Sequence, residues 1–172
     1  MQQGGGVSTR RMSRSRWLVA AVAIAIAAAA TACTPSAPGS TAPENSMAGQ
    51  LVDKINADRS ARGIPTLVWD QQLTVTAYEW SKAMSFYNNL VHRNLKDLLN
   101  DPAYNAWDRL AENIFTGNPG SAFTSADIHG AFMNSSGHRT NILNPAFNAV
   151  GVGVYYAPDG KVWVTENFGH RN

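Results

Sequence analysis

Apolar positions along the chain keep helical spacing through its middle and switch to strand spacing near its end. Met47, Leu51 and Ile55 repeat every four residues with Val52 beside them, which predicts a helix over residues 47–62. Asn45 or Ser46 can cap its start, and Gly63 and Pro65 end it. Asp70 is an N-cap for a second helix of about 17 residues, with Leu73, Ala77, Trp80, Met84 and Tyr87 on one stripe. Asn88 and Asn89 stop that helix and leave His92 in a loop. A third helix is predicted over residues 125–134, burying Ile128, Ala131 and Phe132, and a short helical turn over residues 139–143 ends before Pro145.

After Asn148 the period becomes two. Val150, Val152, Val154 and Tyr156 share one face of a strand. "PDG" at Pro158 to Gly160 is a turn, and "KVWVTENF" alternates again, so the pair reads as a β-hairpin. Gly151 and Gly153 leave the opposite face without side chains, which lets a helix or another backbone approach closely. "AENIF" at residues 111–115 is a candidate third strand. Helices first and antiparallel strands last predict an α+β domain with helices packed on a sheet.

The N-terminal segment follows a different rule. Arg10, Arg11, Arg14 and Arg16 precede an unbroken apolar run from Trp17 to Ala30, and Ala30-Thr31-Ala32 supplies small residues for cleavage. Residues 1–32 therefore read as a secretory signal peptide. The run is shorter than the ~20 residues of a comfortable membrane span. Cys33, the single cysteine, follows directly. A bacterial lipoprotein signal ends this way, its cysteine carrying the lipid anchor to the membrane. The same residues fit ordinary secretion by the A-x-A pattern, so cell-membrane lipoprotein and free secretion both stand. Residues 33–46 are rich in Pro, Ser, Thr and Ala and read as a flexible linker. The folded domain is expected over residues 47–172, with no cysteine left to staple it.

Export changes the charge. Removing residues 1–32 takes four arginines and no acid, so 14 basic residues fall to 10 against 12 acidic ones, a net −2. The mature part carries no basic footprint for nucleic acid.

Three polar residues stand at the edges of predicted elements: His92, Glu112 and His138. Two imidazoles and a carboxylate are a ligand set that leaves an open position on zinc. No H-x-x-x-H pair sets two of them on one helical face. Ser135 and Ser136 lie close to His138 and raise the possibility of a nucleophile beside its base. No G-x-S-x-G setting supports this, and Ser136 reads instead as the cap of the short helix after it. The trio can also be a polar network that fixes packing. His129 and His170 read as surface residues.

The pieces "INADRSARGIPTLVWDQQL", then Ala77, Met84 and His92, then "AENI", "FMNSSGHRTNILNPAFNAVGVGV" and "VTENFG" occur in one order. In that order they resemble the CAP superfamily of cysteine-rich secretory, antigen 5 and pathogenesis-related proteins, in its short bacterial form, from about Val52 to Gly169. The resemblance implies a three-layer α-β-α sandwich with a central antiparallel sheet. It also implies a cleft lined by two histidines and two acids, three of which match His92, Glu112 and His138. The fourth falls at Ser135, because Phe132 holds the position of the family's tryptophan. Other departures are Ala111 for Gly, Glu166 for the usual Gln, and the absence of disulfides. Eukaryotic members of the family have been linked to zinc or calcium, to sterols and fatty acids, and occasionally to proteolysis, none of them uniformly. The expectation for this chain is an exported binding module for a lipid, cell-wall or protein ligand, with Trp107, Phe115 and Phe132 near the cleft segments. The alternative is a metal-assisted hydrolase, with zinc on His92 and His138 and Glu112 as third ligand or base.

Overall fold

The computed structural model describes residues 46–171, together with Met1. The expected signal peptide, Cys33 and nearly all of the expected linker lie outside the described residues.

Ser46 caps the first helix, α1 (Met47–Ser60), its hydroxyl accepting from the Gly49 N–H. Leu51, Val52 and Ile55 are buried as their spacing requires. Gly63 then takes φ +68, a backbone setting that costs glycine little. A two-residue strand, β1 (Val68–Trp69), follows. Asp70 caps α2 (Gln71–Tyr87), which ends on Asn88 in the left-handed region. The stripe read from the sequence holds for Leu73, Ala77 and Met84. It fails for Tyr87, which is exposed, because the helix runs past the end of the core there. Beyond the loop come a short α3 (Leu95–Leu99), a 3-10 turn (Pro102–Tyr104) and β2 (Arg109–Gly117). Helices α4 (Ser125–Asn134) and α5 (Ser136–Ile142) lead into β3 (Ala149–Tyr156) and β4 (Val162–His170).

The four strands lie in the order β1-β3-β4-β2. The β3–β4 hairpin and the β2–β4 pair are antiparallel, and Glu112 stands opposite Asn167 while Asn113 stands opposite Glu166. Only β1 runs parallel to its neighbour. Short and without alternation of its own, it carried no sequence signal. Helix α2 covers one face of the sheet; α1, α4 and α5 lie over the other. The three-layer α-β-α arrangement is thus present.

Gly151 and Gly153 do what their pairing predicted. A Cβ on Gly151 would collide with Leu73 and Thr74, and one on Gly153 with the backbone of Ala77 and Tyr78. Helix α2 therefore lies directly on β3. On the opposite face a fully buried Arg59 stitches loops together: Nε donates to the Pro65 carbonyl, Nη1 to those of Ile142 and Asn144, and Nη2 to that of Phe147. Burial holds its guanidinium below the ordinary arginine range.

The surface reading of His129 is corrected. It is buried, and its Nε2 lies 2.7 Å from Asp58 Oδ2, joining α4 to α1. Its partner Asp58 lies on another helix, 71 residues away, so no local pattern marked it as buried. His170 is half-buried and pairs with Asp108 at 2.9 Å.

Candidate cleft at the edge of the sheet

Strand β2 is an edge strand, and its alternation sorts its side chains. Ile114 packs with Met84 and Trp163 beneath α2, and Glu112 shares that face. Phe115 packs against Phe132 of α4 on the other face, which Asn113 shares. The α2–α3 loop brings His92 to Glu112, with Nδ1 2.9 Å from Oε1. The Arg93 N–H donates to the same oxygen at 3.0 Å. The loop is braced by Trp80, whose indole N–H donates to the Val91 carbonyl and whose ring lies under the Arg93 guanidinium.

Glu112 is buried, and its Oε2 has no partner. Burial pushes its carboxyl up, against the pull of the His92 bond and the Arg93 N–H. With Glu112 ionised, Oε1 accepts both bonds and Nδ1 of His92 is a donor, which leaves Nε2 as the ring nitrogen for a ligand. With 57% of the His92 side chain exposed, that atom is free to meet a ligand.

His138 arrives from α5, on the other face of β2. Its ring stands edge-on to Phe132, with centroids 5.1 Å apart. Burial lowers its pKa, and repulsion from His92 lowers it further. The Asn113 amide donates to the His138 carbonyl at 3.2 Å. Asn141 donates to Asn113 Oδ1 at 2.9 Å and to the Glu112 carbonyl at 3.3 Å. These asparagines lay inside the sequence blocks but received no role. The available signal was a polar residue at a core-facing strand position, Asn113, next to the acid.

Ser135 is the N-cap residue of α5, half-buried, with no side-chain capping bond. The expected cap at Ser136 is corrected as well. The helix begins one turn earlier than its apolar pattern shows, so Ser136 is its first residue, and its carbonyl accepts from Thr140. Neither hydroxyl bonds to His138, which leaves the nucleophile reading without geometry. Among the aromatics, Trp107 and Phe132 are core residues, and Phe115 is half-buried between Phe123 and Phe132.

The described residues do not assemble a three-ligand metal site. Among the described residues no three His, Cys, Asp or Glu side chains converge to hold an ion.

Comparison with known proteins agrees with this architecture. The sequence model of the cysteine-rich secretory protein (CAP) family matches residues 52–168. An uncharacterized protein of Bacillus subtilis (strain 168), YkwD, is 31% identical over 150 residues, covering 81% of this chain and 52% of its own length. The chain thus spans about half the length of that curated relative. An extracellular SCP-domain protein from Bacillus anthracis is 32% identical with a TM-score of 0.57, over 72% of this chain and 40% of that one. An outer surface protein of Borrelia burgdorferi shares the fold with a TM-score of 0.63 at 17% identity, over 71% of this chain and 90% of that one. With a family match that takes in His92, His138, the buried Glu112 and all but the last two residues of the four strands, the chain belongs to the CAP family of cysteine-rich secretory proteins.

Proposed function

We propose that this chain is an exported CAP-domain binding module whose contact point is the cleft of His92, Glu112 and His138. The observation that carries this reading is the His92–Glu112 pair. A buried carboxylate orients an exposed imidazole and leaves its second ring nitrogen for a ligand. Such a group meets a ligand hydroxyl or amide. Leu90 and Val91, both exposed beside it, offer apolar contact to the rest of the ligand. A lipid or a cell-wall fragment has both parts. Metal-assisted hydrolysis lacks its donor set among the described residues.

Export is supported by the basic, apolar and small-residue order of residues 1–32, and by the extracellular relative from Bacillus anthracis. No described helix is long and apolar enough to cross a membrane. Cys33 is the proposed lipid attachment.

The test is an amide-shift titration with lysophosphatidylglycerol micelles in one arm and soluble muramyl peptides in the other. One arm should move the signals of His92, Glu112 and His138, and His92→Ala should weaken that binding about tenfold. Silence of all three residues in both arms ends the cleft reading. Separately, Cys33→Ala should release the protein into the medium; retention in the membrane fraction would end the lipid-anchor reading.

A further inference from the structure

Glu166 sits in the middle of β4, between Val164 and Phe168, on the face toward α1, α4 and α5. It is completely buried. Its Oε2 accepts from Asn113 Nδ2 at 3.0 Å, and its Oε1 is buried without a partner. Neither protonation state is satisfied there. An ionised carboxylate lacks solvent and countercharge, while a neutral one holds a hydroxyl with no acceptor.

The group that meets Glu166 also holds the cleft. Asn113 Nδ2 is shared between Glu166 and the His138 carbonyl, and Asn141 of α5 donates to Asn113 Oδ1. Helix α5 has little else to seat it at this end. It is seven residues long, buries only Ile142, and starts without a side-chain cap. Its far end is held by Arg59 through the Ile142 carbonyl.

We propose that Glu166, Asn113 and Asn141 form a proton-operated latch on α5, so that the protonation of a core carboxyl decides whether His138 is held in the cleft. With Glu166 neutral, Asn113 serves both the carboxyl and the His138 carbonyl, and α5 is seated. With Glu166 ionised, Asn113 is drawn to the carboxylate. Water then enters at the weakly capped start of α5 to solvate Oε1, and His138 leaves its place beside His92.

Burial pushes the Glu166 carboxyl up to about 8, opposed only by the bond from Asn113. Charged groups around it are otherwise engaged. Arg59 of α1 donates to four backbone carbonyls, and His129 of α4 pairs with Asp58. Arg139 of α5 donates to the Met133 carbonyl, and the His138 ring faces Phe132. Strands β1 and β3 contribute no charged residue, and β2 contributes the neutral Asn113. The latch does not depend on what the cleft binds, so it stands or falls apart from the binding reading.

The experiment follows the His138 ring by NMR from about pH 5 to 10, with labelled glutamate carboxyls read in parallel. Two inflections are expected at His138: its own, below 6.5, and a second near 8 shared with the Glu166 carboxyl. Glu166→Gln should keep the first and lose the second. Between pH 7 and 9, exchange of the α5 amides should rise about tenfold more than that of the α4 amides in the native protein. In Glu166→Gln the two helices should rise together. A His138 ring without the second inflection, or one that keeps it in Glu166→Gln, overturns the proposal. If Glu166→Gln does not fold, the native titration decides: a shared inflection supports the latch, and separate ones refute it.

Discussion

The two faces of the sheet hold their helices by different means. Against α2 the sheet offers two glycines and a hydroxyl: Gly151 and Gly153 let the helix lie on β3, and Ser81 bonds to the Gly153 carbonyl and to Thr165. The buried acid on that side, Glu112, stands on the edge strand beside His92. Under α5 the sheet offers amides and an acid, and part of that seat is electrically undecided. His92 follows the end of the rigid α2, whereas His138 rides on the polar-held α5. The proposed cleft between them would have one fixed wall and one conditional wall. A ligand contact on the fixed wall needs no reorganisation, while one on the conditional wall responds to solution conditions.

The largest break in this contrast should come from Gly153→Val. Its branched side chain has no space against the backbone of Ala77 and Tyr78, so α2 must lift from the sheet. The cost should exceed the 1–3 kcal/mol typical of overpacking, and loss of the near-UV circular dichroism signal would report it. A folded variant with native melting behaviour would show that the face is not tightly closed.

Arg59→Met should come next. It strips the donors from the carbonyls of Pro65, Ile142, Asn144 and Phe147. At ~1–3 kcal/mol for each buried acceptor left unsatisfied, denaturant unfolding should show a loss of about 3 kcal/mol or more. A loss under about 1 kcal/mol would mean that water replaces the guanidinium at no cost.

Glu166 gives the α5 face a pH signature of its own. Its folded-state pKa is raised from 4.5 to about 8, so the folded chain keeps a proton that the unfolded chain has released. Stability should therefore fall as pH rises from 4.5 toward 8 and level off above it. The slope is at most about 1.4 kcal/mol per pH unit. Glu166→Gln should flatten this stretch of the stability profile. An unchanged slope in the variant would place the titration elsewhere.

The smallest effect belongs to the α1–α4 clamp. The bond from His129, and after it that from Arg62, hold the Asp58 carboxyl below its ordinary range. This contribution is present above pH 3.8 and is lost as pH falls through the lower folded-state value. Asp58→Asn should cost about 1 kcal/mol at neutral pH and remove that acid-side loss. A variant as stable as the parent at pH 7 would show that the clamp contributes nothing.

Much of this was legible in the chain order. The spacing of Leu51, Val52 and Ile55, the Asp70 cap, the Asn88 stop and the alternation of β3 and β4 each obey a local rule that needs no partner. The paired glycines even announced a close helix. For the proposed cleft, His92, Glu112 and His138 could be named because they match a family pattern; of the three, only His92 lies outside a helix or strand, since Glu112 is inside β2 and His138 inside α5.

What the chain alone left open was decided by register and burial. Pairing of β2 with β4 sets Asn113 opposite Glu166, and β2 alternation turns Glu112 toward α2 and Asn113 toward α5. Those partners are 53 residues apart in the Asn113–Glu166 case, so no local pattern links them. The same holds for His129, whose partner Asp58 is 71 residues away. Local periodicity determines which face of an element is apolar. Which polar groups share a low-dielectric space, and hence which protons are held, follows only from the way the layers close over one another.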